Sequence, residues 1–251
     1  MAEMLAVNNL SLKIADKLVC KDLGFSISEN QCLGILGANG VGKTTLLHTI
    51  AGLNPDYQGE IIVAGKPLAN YKAKEKAQTV AILLQQQFSF PVTVLELAVN
   101  SRFAYSGYWG RYSAEDVSKV QNSLKMTQLL SKSSQIVTTL SGGEFQRLAI
   151  SMLLAQEPKL YLLDEPVNNL DLKYHLLVEK FFSKNSGRTS IVILHDLALI
   201  TKMCSHLLLL KNGDWVFGTM ADIFTLENMQ WLFDIKMQAV NTGSCQFFVP
   251  Q

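Results

Sequence analysis

The sequence predicts an α/β fold in which a strand–helix core is split by a helical insert. Three observations predict it. Cys32-Leu33-Gly34-Ile35-Leu36 is a short apolar strand running into a glycine-rich loop, and a helix follows from Thr44 to Ala51. From about residue 94 to 155 the pattern turns helical, with few β-branched runs. Apolar strands then return at 160–163 and 190–194. Strand–helix core, helical insert, strand–helix core is the order of an α/β domain carrying a helical subdomain.

The remaining elements follow in order. Residues 1–30 alternate apolar and polar positions (Leu10, Leu12, Ile14; then Leu23, Phe25, Ile27) and read as edge strands. Gly52 stops the first helix. Gly59-Glu60-Ile61-Ile62-Val63 and residues 80–84 read as further strands, and Asn212-Gly213 as the turn of a terminal hairpin. The expected organisation is a core from 1–90 and 156–225 with an N-terminal antiparallel β-subdomain, a helical subdomain at 91–155, and a tail at 226–251.

Composition agrees with a packed globular chain. Its 251 residues are 48% hydrophobic and 17% charged, which excludes global disorder. The net charge of +1 gives no nucleic-acid footprint. Cys20, Cys32, Cys204 and Cys245 form no CxxC pair or zinc spacing and read as packed thiols of a reducing compartment. The first ten residues show no signal-peptide pattern, and apolar runs such as 207–210 fall far short of the ~18 residues of a membrane span.

Gly37-Ala38-Asn39-Gly40-Val41-Gly42-Lys43-Thr44 fits G-x-x-x-x-G-K-[ST] between an apolar strand and a helix. The glycines let backbone N–H groups turn toward phosphate oxygens, and the helix aims its positive end at the same place. Gly37, Asn39, Gly40, Gly42, Lys43, Thr44 and Thr45 are the candidate phosphate contacts; Lys43 is expected to reach the β- and γ-phosphates and the Thr44 hydroxyl to be a Mg²⁺ ligand. Leu160-Tyr161-Leu162-Leu163-Asp164-Glu165 is an apolar strand ending in two carboxylates, where strand ends face a ligand crevice. Asp164 is the candidate Mg²⁺ holder and Glu165 the candidate general base. Alone, the pattern also fits an acidic turn before Pro166; the upstream phosphate loop favours the site.

Leu140-Ser141-Gly142-Gly143-Glu144-Phe145-Gln146-Arg147 is a second glycine turn opening a helix. Here the sequence resembles the ATP-binding-cassette family. This string matches that family's signature, Gln85 its Q-loop, Asn169-Leu170-Asp171 its D-loop and His195 its switch histidine, all in family order over about residues 5–235. The resemblance implies a P-loop NTPase (RecA-like) core and ATP hydrolysis with Mg²⁺ across a head-to-tail homodimer. Ser141, Gly142 and Gly143 would bind the γ-phosphate of nucleotide held by the partner copy. Gln85 would touch Mg²⁺ and the attacking water, His195 the γ-phosphate, and Asp171 would couple the two sites. One departure is Ile14, where relatives place an aromatic residue on adenine.

Three assemblies compete: an importer, an exporter, and a soluble ATPase working on nucleic acid or ribosomes. No second cassette, coiled coil or zinc module supports the third. The stretch LLQQQFSFPVTVLELAVNSR (83–102) and the tail around Asp222-Ile223-Phe224 are similar to the importer subfamily for iron-siderophore, haem and cobalamin. That subfamily implies integral-membrane permease partners, an external substrate-binding protein, no nucleic acid, and a place on the cytoplasmic face of the membrane. The groove receiving the permease would lie near 85–111. Lys72, Lys74 and Lys76 read as a solvated basic face, with Arg102 and Arg111 as candidates for a docking surface. His48, His175, His206, Trp109, Trp215 and Trp231 read as surface or packing residues.

Overall fold

The structure is a computed structural model that describes residues 2–15, 17–84, 91–107, 110–168, 170–242 and 245–250. Its N-terminal sheet contains β1 (Glu3–Ile14), β2 (Lys17–Ser28), β4 (Tyr57–Val63) and β5 (Lys66–Pro67) in the order β2-β1-β4-β5, all antiparallel. The alternation in 1–30 predicts edge strands, and this needs correction. β2 lies at the edge, but β1 is flanked on both sides, and Met4, Leu5, Ala6 and Val7 are buried in succession. Only a covered strand buries consecutive residues, because neighbouring side chains point to opposite faces.

The central sheet has the order β10-β9-β3-β8-β7-β6, with β3 (Cys32–Gly37), β6 (Val80–Leu83), β7 (Leu160–Asp164), β8 (Thr189–Ile193), β9 (His206–Lys211) and β10 (Asp214–Thr219). All its pairings are parallel except β9–β10, which closes through Asn212 and Gly213, both at positive φ as a two-residue hairpin turn requires. β3, β7 and β8 are buried at every position, as a sheet covered on both faces demands. The register pairs Ile35 with Ile193, and Ile193 with Asp164. The C-terminal ends of β3, β8 and β7 are thereby brought side by side at one edge.

Helices α1 (Lys43–Ile50), α6 (Leu172–Phe182) and α7 (Leu197–Met203) belong to the layers around this sheet, and α2 (Ala73–Thr79) leads into β6. α3 (Val94–Val99), α4 (Ala114–Met126) and α5 (Gly142–Gln156) enclose a separate core of Val94, Ala98, Val120, Leu124, Leu129 and Leu148. Each of these valine and leucine side chains contributes about 1.5–3 kcal/mol by leaving water. After β10 come α8 (Met220–Ile223), α9 (Leu226–Phe233) and a hairpin of β11 (Met237–Thr242) with β12 (Cys245–Pro250). The segment read as a tail is thus folded, with Met229, Leu232, Met237 and Phe248 buried in the second core, which lies on one face of the central sheet with Leu36, Leu163 and Leu209.

Two charged features also depart from expectation. Lys72 and Lys74 are exposed, as a solvated face requires, but Lys76 is half-buried and its ammonium group donates to Gly52 O at 2.8 Å. Arg102 is no docking residue. It is buried, and it donates to Asp116 Oδ1 at 2.9 Å, Ala155 O at 2.9 Å and Glu157 Oε2 at 3.3 Å, pinning α4 to the end of α5. A guanidinium carries enough donors to be satisfied internally, which position in an aromatic stretch does not reveal.

Candidate nucleotide site

The phosphate loop follows β3 because its backbone can take shapes that side chains forbid. Gly40 and Gly42 have φ of 72° and 111°, and a Cβ at Gly42 would meet Val19 Cγ1 at 2.5 Å. Gly42 also caps α1, so the first amides of that helix face the loop. Lys43 is buried and folded back, donating to Gly37 O at 2.8 Å and Ala38 O at 3.0 Å. Burial lowers its pKa, opposed by the nearby Glu165 and Asp164 carboxylates. Lys17, across the β1–β2 turn, donates to Gly40 O at 2.7 Å and braces the loop from outside.

Thr44 Oγ1 donates to Asp164 Oδ2 at 2.8 Å. Asp164 Oδ1 is buried and has no hydrogen-bond partner. Burial pushes the Asp164 pKa up, the Thr44 hydrogen bond pulls it down, and the Glu165 charge pushes it up again. A hydroxyl and a buried carboxylate with an unused oxygen are the hard donors that Mg²⁺ takes, with water and phosphate completing its shell. Among the described residues no group of three or more His, Cys, Asp and Glu could hold a metal ion unaided. The Thr44 hydroxyl and the unused Asp164 Oδ1 fit Mg²⁺ held jointly with a phosphate substrate.

Glu165 follows directly, at φ 48°, its amide donating to Ile193 O at 3.2 Å. This left-handed turn carries its side chain toward β8, where His195 Nε2 lies 2.7 Å from Glu165 Oε1. Asn168 Nδ2 donates to Glu165 Oε2. Asp196 caps α7 through the amides of Ala198 and Leu199, fixing the backbone just after His195. Ile14, Asn39, Gly40, Gly42, Lys43, Thr44, Thr45, Glu165, Asn168 and His195 line one open concavity of about 610 Å³.

Ser141, Gly143 and Asp171 stand elsewhere, on a smaller concavity of about 310 Å³ with Glu144, Arg147 and Tyr174. Ser141 caps α5 in a reciprocal box with Glu144, which accepts from Ser141 N at 3.0 Å. The Lys132 ammonium, 2.5 Å away, and the Ser141 amide hold the Glu144 pKa down to about 2. No residue lines both concavities. Gln85, Asn169 and Trp109 lie outside the described residues. Sequence reasoning missed Asn168 and Lys17. Asn168 sits in a turn after Glu165, where Asn is ordinary, and Lys17 is one of several surface lysines.

The remaining candidates are structural. His175 Nε2 bonds Leu170 O at 3.1 Å, and His206 stacks on Phe217 with centroids 5.9 Å apart. Burial pushes the His206 pKa down. Trp215 donates to Lys21 O, and Trp231 packs partly buried against the second core. His48 is half-buried with Nε2 lacking a protein partner. Cys20, Cys32 and Cys204 are buried free thiols.

Comparison with known proteins matches this geometry. The profile of the ABC transporter family fits residues 20–168. The uncharacterized ABC transporter ATP-binding protein YvrA of Bacillus subtilis (strain 168) is 36% identical over 209 residues, 81% of this chain and 47% of that protein. The iron(3+)-hydroxamate import ATP-binding protein FhuC of the same organism is 30% identical over 241 residues, covering 94% of this chain and 90% of that protein. A solved structure described as an inward-facing conformation of a putative metal-chelate type ABC transporter superposes with a TM-score of 0.84 at 27% identity, covering 100% of this chain and 98% of that one. The fold is accordingly that of a P-loop NTPase with an antiparallel β-subdomain. A family profile spanning more than half of the sequence, and relatives aligned over nearly all of it, mean that this chain belongs to the ABC transporter family as an ATP-hydrolysing subunit.

Proposed function

We propose that this chain is the ATP-binding and ATP-hydrolysing subunit of an importer for an iron-siderophore, haem or cobalamin, working as a head-to-tail homodimer under integral-membrane permease subunits. The observation that carries the dimer is the division of the site. The phosphate-loop concavity and the Ser141 helix end share no lining residue, which fits a pair of copies in which each end completes the other's site. The substrate class rests on the relatives named above and on the likeness of residues 83–102 to that subfamily.

In this reading the loop amides and the end of α1 bind the β- and γ-phosphates, and Lys43 exchanges its loop carbonyls for phosphate oxygens. Mg²⁺, when bound through Thr44 and Asp164, supplies positive charge that offsets the phosphate oxygens. Glu165 accepts a proton from the attacking water, and His195 and Asn168 hold its two oxygens in place. The partner's signature helix end closes the site and excludes water. By the family resemblance, Gln85 would touch Mg²⁺ and the attacking water, Gly142 would join the signature contact, and Asp171 would couple the two sites.

No helix among the described residues is long and apolar enough to cross a membrane. In this reading the subunit reaches the cytoplasmic face through its permease, which receives substrate from an external binding protein. The test is recovery of the native complex from membranes with tagged chain. A multi-span permease among its companions is the expected result, and transport by that permease identifies the substrate. Recovery of ribosomes or DNA-repair proteins without a permease would replace this reading with a soluble ATPase.

A further inference from the structure

Two helices meet at the smaller concavity. α5 begins there with Ser141 as its cap, and α6 begins there with Asp171 as its cap. Ser141 caps α5 with its own side chain, but Asp171 makes no side-chain cap to α6. The start of α6 is held from outside. Tyr174, in its first turn, lies under the guanidinium of Arg147, whose Cζ is 4.3 Å from the ring centroid. Lys173 Nζ reaches Gln128 Oε1 at 3.2 Å.

Arg147 is an unusual anchor. It is only 8% exposed, and its Nη1 donates to Thr127 O at 3.0 Å and Gln128 O at 3.3 Å, fixing it to the end of α4. Its Nε is buried without a hydrogen-bond partner. Its Nη2 lies 4.0 Å from Glu144 Oε1 within α5, and the ring face of Tyr174 joins the guanidinium to α6. A cation over an aromatic face is attracted by the ring quadrupole, most strongly where water is excluded.

We propose, on the head-to-tail reading above, that Tyr174 is a positioning residue for hydrolysis. Its ring clamps Arg147 and so makes the Ser141 end of α5 and the Asp171 turn one rigid face presented to the nucleotide of the partner copy. The clamp matters because a displacement of about 1 Å in a positioning group can cost roughly 10²-fold in rate. The ring, not the hydroxyl, carries this role.

The test uses the whole transporter with two distinguishable copies of this subunit. Tyr174→Ala is expected to lower kcat by about 10-fold and leave nucleotide affinity at the phosphate loop unchanged, whereas Tyr174→Phe stays within about twofold of the parent. Tyr174→Leu, which keeps bulk, replaces the alanine variant if that fails to fold. Arrangement then separates positioning from general damage. With Lys43→Ala on one copy and Tyr174→Ala on the other, one composite site is intact and substantial activity remains. With both changes on one copy no site is intact and activity falls about 10-fold further. Equal activity in the two arrangements, or a phenylalanine variant as impaired as the alanine one, overturns the proposal. Lys43→Ala opposite Ser141→Ala is the control: if that pair fails to complement, the head-to-tail reading itself falls and the proposal with it.

Discussion

Glu165 illustrates how one residue is held for its task. Its backbone sits in the left-handed region, a conformation costing roughly 1–3 kcal/mol in a residue with a side chain. In return its carboxylate meets His195 and Asn168 instead of running on along the direction of β7. Glu165→Gln keeps the shape and removes the proton acceptor. It is expected to bind ATP normally and to slow turnover by roughly 10²–10⁴-fold, read by steady-state phosphate release beside a nucleotide-binding titration. Full-rate release would remove Glu165 from the role of base. Ile14 lies on the rim of the same concavity, 41% exposed, and offers an aliphatic surface to the base end of a nucleotide. Tyrosine there adds a stacking face, and Ile14→Tyr is expected to tighten ATP binding by several-fold, on the order of 1 kcal/mol. An unchanged Kd would show that the base lies elsewhere.

At the level of elements, α5 depends on charge at both ends. Its beginning is held by the Ser141–Glu144 box and by Lys132. Glu144 has its pKa lowered from 4.5 to about 2 in the fold, so its stabilising contribution is complete above about pH 4.5 and is lost as pH falls toward about 2. Lys132→Ala removes the largest cause of that shift, and the acid-unfolding midpoint, followed by circular dichroism, is expected to move to higher pH. A midpoint that stays put would mean the Ser141 amide holds Glu144 alone. The other end of α5 is tied to α4 by Arg102. Arg102→Ala leaves the buried Asp116 carboxylate without its cation and is expected to cost about 3–5 kcal/mol, seen as a lower Tm or a lower denaturation midpoint. A change under about 1 kcal/mol would put Arg102 back among ordinary surface arginines.

For the whole molecule, the head-to-tail reading proposed above makes each chain the carrier of two half-sites, one at the phosphate loop and one at the Ser141 helix end. A Lys43 variant retains its Ser141 helix end, and a Ser141 variant retains its phosphate loop. Mixed, the two are expected to regain part of the activity that each lacks alone, because some dimers contain one complete composite site. Mixed dimers shown to form without any recovery would contradict the head-to-tail arrangement. The central sheet makes that composite site stiff: β3, β8 and β7 are buried throughout, and their register leaves little freedom between Asp164, Glu165 and His195.

The sequence by itself determined the chemistry: the glycine loop with Lys43 and Thr44, the paired Asp164 and Glu165, and the α/β order with its helical insert. These are legible because local backbone needs and strand periodicity are written in consecutive residues. The family resemblance put Ile14 at the position where relatives stack an aromatic residue on adenine, and Ile14 lines the phosphate-loop concavity. What only the tertiary structure decided depends on contacts between residues far apart in the chain. β1 became an inner strand because β4 pairs with its far side. Arg102 became an internal pin because Asp116 and Glu157 come to meet it, and the last residues became a helix and hairpin because the second core has room for Met237 and Phe248. Asn168 and Tyr174 gained their places in the same way. Each is an ordinary residue by local rules, and acquires a task only where folding brings a carboxylate or a guanidinium against it.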